Sequence, residues 1–199
     1  MNQAAERVCT VRVKMIPSTP FGPVAILWSP WKGKEKVSSV LLSAPGQSAA
    51  ERVSRLFPHV EHSSCPKIER VAGGIEAFLN GRPVEFPLDT IRLDACSSFQ
   101  QAVLRAEFGI PRGSVSTYQF IAAHLGRTRG ARAVGNALAK NPFPIIIPCH
   151  RAICSDRSLG GYQGGSAMKR ALLKNEGIHF DDRGRVLIRR FHYEKKLAR

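Results

Sequence analysis

The segment Pro142-Phe143-Pro144-Ile145-Ile146-Ile147-Pro148-Cys149-His150-Arg151 constrains this chain more than any other stretch. An apolar run, long enough for one short buried strand and bracketed by prolines, leads straight into a thiol, an imidazole and a guanidinium. The expectation is a core strand that delivers Cys149 to a fixed place beside a base, His150. A buried structural cysteine is the plainer alternative, because free cysteine is among the most buried residue types. The residues on both sides decide between the two.

Together with Asn141, the segment closely resembles the active-site signature of the O6-alkylguanine-DNA alkyltransferases, also called methylated-DNA–protein-cysteine methyltransferases. The Pro-Cys-His-Arg core alone is a modest signal. The preceding Asn-Pro-x-Pro and the apolar triplet make it specific. The resemblance runs over residues 97–177 and is weaker in the N-terminal half.

With 199 residues the chain has room for one large domain or two small ones. The expected division is an N-terminal part with a linker, residues 1–94, and a C-terminal part, residues 95–199. The first residues lack the charged head and apolar stretch of a signal peptide, and no apolar run approaches membrane-spanning length. No membrane partner is therefore expected. Cys9, Cys65, Cys96, Cys149 and Cys154 form an odd, scattered set. That argues against a disulfide framework and for a reducing compartment: the cytoplasm at the nucleoid, or the nucleus in a eukaryote. The formal net charge of +15 points to a polyanionic partner, nucleic acid first.

Residues 9–15 alternate apolar and polar and predict a half-buried strand. A turn at Pro20-Phe21-Gly22-Pro23 leads to a more buried strand over 24–28. A loop at Trp31-Lys32-Gly33-Lys34 and a third strand over 36–43 complete a β-meander. Helical spacing follows in Ala49, Val53, Leu56 and Phe57, and again in Ile68, Val71, Ile75, Phe78 and Leu79, closed by Asn80-Gly81. Gly73-Gly74 weakens the middle of that second helix. The segment 18–24 resembles the hairpin entry of the family's N-terminal domain, which has a ribonuclease H-like fold. The fold class expected is thus α/β (α+β): a ribonuclease H-like meander with helices, then a mostly helical part. His59, His62 and Cys65 lack an obvious fourth ligand, so they read as a polar surface loop. Some family members carry a structural zinc in this half, but no matching ligand set exists here and no metal is expected.

Residues 82–94 form a linker rich in proline and charge. Ser97-Ser98 caps an amphipathic helix through Leu104, and Ile110-Pro111-Arg112-Gly113 breaks the chain. A short helix opened by Ser116-Thr117-Tyr118-Gln119 and a second over 131–140 flank the turn Arg127-Thr128-Arg129-Gly130. That is the pattern of a helix-turn-helix. The second helix is rich in small residues, which suit either close approach to DNA or close helix packing. Arg132-Ala133-Val134-Gly135 resembles the family's recognition-helix signature, which enters the minor groove. The resemblance implies that Arg132 fills the space of a flipped-out nucleotide, that Ala133 and Gly135 lie along the groove, and that Tyr118 sits at the flipped base. Thr128-Arg129-Gly130 replaces a proline found in many relatives, and an extra phosphate contact from Arg129 is expected.

An alkyl carbon on guanine O6 is open to in-line attack by a soft nucleophile. A free thiol is only a few per cent ionised at neutral pH, so a base must help. Neighbours on a strand point to opposite faces, so Cys149 and His150 need not touch. In the family a water bridges them, and a glutamate matching Glu176 orients the imidazole. The resemblance further implies that Tyr118 donates to the leaving guanine, Asn141 holds the active-site turn, and Pro144 walls the base. Backbone groups near Cys149 and Ala152 read the Watson–Crick edge, and Arg151 belongs to the same substrate-side signature. Ala152 stands where a β-branched residue is common, so a slightly roomier pocket floor is expected. The Gly-rich segment 155–165 has no Walker-type lysine pattern. By resemblance it closes over the alkyl group, with Tyr162 packed on base or alkyl and the Gln163 N–H bonded to O6. The Gln163 side chain is expected to be free to vary, and Cys154 to be an inert neighbour.

The implied reaction is single-turnover transfer to Cys149, since a thioether does not exchange like a disulfide. No cofactor is required. The partner is double-stranded DNA containing O6-alkylguanine, bound by a monomer; activity on O4-alkylthymine and cooperativity along DNA are left open. Competing readings are a damage sensor, whose representatives lack the cysteine, and a transcription regulator with sensing cysteines. A cysteine hydrolase lacks sequence support for an oxyanion hole. A small hairpin over 178–188 and a basic tail to Arg199 complete the chain.

Overall fold

Residues 11–194 are described by the structure, a computed structural model. Cys9, the start of the first expected strand and the basic residues Lys195, Lys196 and Arg199 lie outside them. The meander consists of β1 (Arg12–Ile16), β2 (Val24–Trp31) and β3 (Lys34–Leu42). The loop expected at 31–34 is only two residues long. Lys32 and Gly33 both take positive φ, 49° and 74°, as in the tight turns whose twist matches a hairpin. Both strands therefore run further than expected. α1 (Ala49–Leu56) starts at a reciprocal cap between Ser48 and Glu51. The expected loop around His59–Cys65 contains β4 (Glu61–His62), which joins β1 in parallel. The sheet order β3-β2-β1-β4 is that of the expected ribonuclease H-like arrangement.

α2 (Pro66–Leu79) runs unbroken through Gly73-Gly74. Gly74 has a packing reason: a Cβ there would lie 3.0 Å from the Phe86 ring. One face of the sheet covers α1 through Val13, Leu27, Leu41 and Val53. The other face belongs to a single apolar cluster that includes Ile26, Val40 and Ile75 together with Leu104, Ile121, Phe143 and Ile146. N- and C-terminal halves thus share one core. The linker is two single 3-10 turns, and it is pinned to β3 by the Arg92 N–H on the Val37 carbonyl at 2.8 Å.

The C-terminal half contains α3 (Ser98–Phe108), β5 (Ser116–Thr117), α4 (Tyr118–His124) and α5 (Ala131–Ala139). Ser97 and Thr117 cap α3 and α4 with their hydroxyls. After α5, the buried strand expected over the isoleucines does not form. Its side chains are buried, but three prolines remove backbone donors, and Ile145 takes φ +74°. The chain coils instead. The Ile147 N–H returns to the Phe143 carbonyl at 2.8 Å. Pro148, at φ −79° and ψ 56°, centres an inverse γ-turn closed from the Cys149 N–H to the Ile147 carbonyl. Cys149–Arg151 then make one 3-10 turn, and β6 (Ala152–Ile153) pairs in parallel with β5. α6 (Gly165–Asn175) ends with Glu176 as its C-cap, and Gly177 leaves it at φ +84°. The expected small hairpin is β7 (His179–Phe180) with β8 (Val186–Leu187).

Candidate active site

The γ-turn and the 3-10 turn together decide where the reactive side chains go. Cys149 opens the 3-10 turn and lines a cleft of about 550 Å³ with Tyr118, Asn141, Pro144, Tyr162 and Gln163. Gly135 of α5 and Arg52 of α1 reach the same cleft. A larger cavity, about 650 Å³ between Phe78, Phe86 and Phe108, lies on the other side of the Ile145–Pro148 coil and does not contain the thiol.

Asn141 is buried and holds both ends of the coil. Its amide donates to the Ile147 carbonyl at 3.2 Å, and its oxygen accepts from the Phe143 N–H at 2.9 Å. Burial pushes the Cys149 thiol up to about 11, opposed mainly by hydrogen bonding to Asn141. The thiol is therefore a poor nucleophile until a base takes its proton.

His150 is fully buried, and its Nε2 lies 2.9 Å from Glu176 Oε1. With Nε2–H donating to that carboxylate, Nδ1 is the basic nitrogen, and it has no partner among the described residues. Burial lowers the imidazole pKa, and Glu176 partly restores it. Arg151, expected on the substrate side, turns inward. Its Nη2 and Nε bond Glu176 at 2.8 and 3.0 Å, and its Nη1 donates to the Ile110 carbonyl at 2.6 Å. The guanidinium's bidentate fit to a buried carboxylate explains the difference. Burial alone would raise Glu176, yet hydrogen bonds from His150 and then Arg151 hold it at about 2.

Across the cleft, burial pushes the Tyr118 phenol well up, so it stays a donor at neutral pH. Gly160 takes φ +69°, and a Cβ there would stand 2.8 Å from the Tyr118 hydroxyl. Only glycine lets the loop come so close. The Tyr162 hydroxyl is buried without a partner among the described residues, and its ring meets the His150 ring edge-on at 6.3 Å. The Gln163 side chain, expected to be free to vary, accepts the Leu42 N–H at 2.9 Å. Backbone groups near Cys149 and Ala152 are expected to face a base; the Ala152 carbonyl accepts from Lys169 Nζ at 2.7 Å. Arg132 and Ala133 are exposed on α5, while Gly135 faces the Tyr118 ring at 3.9 Å from its missing Cβ.

Lys169 and Glu107 went unnoticed in the sequence. Lys169 is fully buried, and its ammonium also holds the Leu159 carbonyl at 2.6 Å. Burial lowers it to about 8. Glu107, equally buried, has no hydrogen-bond partner for either oxygen; the Ala152 N–H leans toward it without reaching bonding geometry. Burial pushes it up to about 8, against the pull of Lys169 and Arg151. A signal existed: both interrupt apolar helical faces, Val103-Leu104 in α3 and Met168, Leu172-Leu173 in α6.

The family described as 6-O-methylguanine DNA methyltransferase, DNA binding domain, matches residues 98–178. The chain is 42% identical over 114 residues to the methylated-DNA–protein-cysteine methyltransferase of Methanothermobacter thermautotrophicus, covering 57% of this chain and 64% of that protein. The human protein of that name is 33% identical over 149 residues, with 72% of each chain covered. The crystal structure of the Mycobacterium tuberculosis O6-methylguanine methyltransferase superposes with a TM-score of 0.65 at 31% identity, over 83% of this chain and 92% of that one. A complex of OGT from the same organism with DNA superposes with a TM-score of 0.64 at 33% identity, over the same shares.

Proposed function

This chain belongs to the methylated-DNA–protein-cysteine methyltransferase family, and we propose that it repairs O6-alkylguanine in double-stranded DNA by moving the alkyl group to Cys149. The observation that carries the proposal is the buried His150–Glu176–Arg151 cluster directly behind a cysteine that faces a cleft. A sensor has no use for a base beside a thiol.

In the proposed reaction His150 Nδ1 takes the thiol proton, through a bridging water as the family resemblance implies. The Cys149 sulfur bonds the alkyl carbon as the carbon–O6 bond breaks. Guanine leaves with negative charge, and the Tyr118 hydroxyl protonates it. Tyr118 is restored from the imidazolium side through solvent, so the thiol proton ends on guanine in the net balance. Glu176 keeps the imidazolium compensated while it exists, as in other triads. Arg151 is assigned to hold Glu176, not substrate. The Gln163 N–H receives O6, and Pro144 and Tyr162 enclose the base and alkyl group. The α4–α5 pair is assigned to the minor groove with Arg132 at the vacated base, and Arg129 to a phosphate. Residues 1–94 and 95–199 are the proposed units, joined by the shared core.

The test is an intact-mass measurement after incubation with a duplex carrying one O6-methylguanine. One methyl per protein, on Cys149 and absent in Cys149→Ala, is the expected result. Tight binding without a mass change makes the protein a sensor instead.

A further inference from the structure

β3 lies at the end of the sheet, and such an edge presents a row of unpaired N–H and C=O groups. Here the edge is occupied by the two walls of the cleft. The Val40 N–H donates to the Pro142 carbonyl at 2.7 Å, at the start of the coil that carries Pro144 and Cys149. Two residues on, the Leu42 N–H donates to Gln163 Oε1 at 2.9 Å, in the Gly-rich loop. The Leu42 carbonyl is held in turn by Arg52 Nη1 at 3.1 Å. The loop's far end abuts the same region, since a Cβ on Gly165 would meet Pro45 at 3.1 Å.

These contacts define a spacing. Residues two apart on a strand are separated by about 6.8 Å, a length fixed by the extended backbone. One wall of the cleft hangs from Val40 and the other from Leu42. The coil wall is further fixed by Asn141 and by burial. Lys169 holds the loop wall at the Leu159 and Gly161 carbonyls, and among the described residues the side-chain tie from Tyr162-Gln163 to the sheet is the Gln163–Leu42 bond.

We infer that Gln163 is a positioning residue that ties the substrate-side loop to the edge of β3 and so sets how large an alkyl group the cleft admits. The inference rests on the alkyl-transfer reading above. It gives the N-terminal sheet a task, as the ruler against which cleft width is set. Gln163 acts through Tyr162 and its own backbone N–H, and its side chain does not touch the reacting atoms. Only an acceptor is needed at Oε1, because the partner is a backbone N–H.

The experiment compares full-length wild type, Gln163→Leu and Gln163→Glu on two duplexes, one with O6-methylguanine and one with O6-benzylguanine. Gln163→Leu removes the acceptor, and methyl transfer falls roughly tenfold, the scale of one hydrogen bond. Benzyl transfer falls less, so the benzyl-to-methyl rate ratio rises by about fivefold or more. Gln163→Glu keeps the acceptor and keeps the wild-type ratio. A thermal midpoint near wild type for Gln163→Leu excludes general unfolding as the cause. An unchanged ratio in Gln163→Leu, or the same altered ratio in Gln163→Glu, overturns the inference while leaving alkyl transfer intact. Failure of wild type to transfer either group overturns the alkyl-transfer reading itself, and the inference with it.

Discussion

Two buried glutamates belong to helices packed against the Cys149–Arg151 turn, and one is protonated at neutral pH while the other is ionised. Glu176, at the end of α6, receives His150 and a bidentate Arg151 and is held at about 2. Glu107, on α3, has no donor in bonding geometry among the described residues and is pushed up to about 8. Burial raises both. Glu107 is somewhat deeper and lacks the donors that Glu176 has: a carboxylate can be ionised in the interior when N–H groups replace its water. The two residues also have unequal effects on the chemistry at the thiol. Glu176 supports the base that must take the proton, whereas the charged form of Glu107 would repel a thiolate. Keeping Glu107 protonated at neutral pH keeps that repulsion small.

The largest break in this comparison is Glu176→Gln. Removing one partner of a buried ion pair leaves the Arg151 guanidinium uncompensated, which costs about 3–5 kcal/mol of stability. Methyl transfer falls by roughly 10²–10⁴, the range for losing general-base help. The wild-type rate is expected to be flat above pH 7, because the lowered imidazole is already neutral there. The variant rate should climb with pH, because without the carboxylate His150 is a weaker base for a thiol at about 11. Equal pH profiles would remove Glu176 from the proton path. The stability of wild type carries the same signature. A folded value of about 2 against an ordinary 4.5 gives about 3 kcal/mol that is present above pH 4.5 and is lost as the pH falls toward 2.

Glu107→Gln works in the opposite direction. Between pH 4.5 and about 8 the unfolded chain has released this proton and the folded chain retains it. Wild-type stability therefore drops as pH rises through that window, by at most ~1.4 kcal/mol per pH unit. The lowered His150 opposes this drop below its ordinary value of 6.5, but it is present in both proteins and cancels in the difference. The variant loses the Glu107 drop. Denaturation curves should show near-equal stability at pH 5 and a variant more stable by about 3–4 kcal/mol at pH 8. A constant difference across the range would mean that Glu107 does not titrate there.

How much of this was legible in the sequence differs between the two glutamates. Glu176 was found through a resemblance that also covers Cys149 and His150; periodicity alone would leave it an ordinary helix terminus. Arg151 is expected on the substrate side only as part of the signature; its guanidinium instead turns inward to Glu176, in a stretch that three prolines and Ile145 make a coil and not a strand. Once Cys149–Arg151 form a single 3-10 turn, the guanidinium can swing to α6. The meander, α1 and α2 were readable from alternation and helical spacing, since one buried face imposes each pattern. The grip of Gln163 on Leu42 was not readable, because it joins residues 121 positions apart and depends on which strand lies at the sheet edge. Glu107 and Lys169 were visible only as charges on apolar faces, a signal that names no partner.

The smallest expected effect falls on the link between those last two. Lys169 is the largest of the charges that draw Glu107 down, though no direct hydrogen bond joins them among the described residues. Its ammonium is instead spent on the carbonyls of Ala152, Leu159 and Gly161. Lys169→Met keeps the stem and removes the charge, so desolvation of Glu107 is left less opposed. The Glu107 carboxyl, followed by carbon NMR across a pH titration, should become about tenfold less acidic, equivalent to ~1.4 kcal/mol. Glu176 is the internal control. Its ionisation is set by His150 and Arg151, with no part played by Lys169, so its titration should not move. A shift in both would mean that the two carboxylates share one field and that the contrast between them is not local. A shift in Glu107 alone would establish that donors at hydrogen-bond distance fix Glu176, while a cation without a direct bond only tunes Glu107.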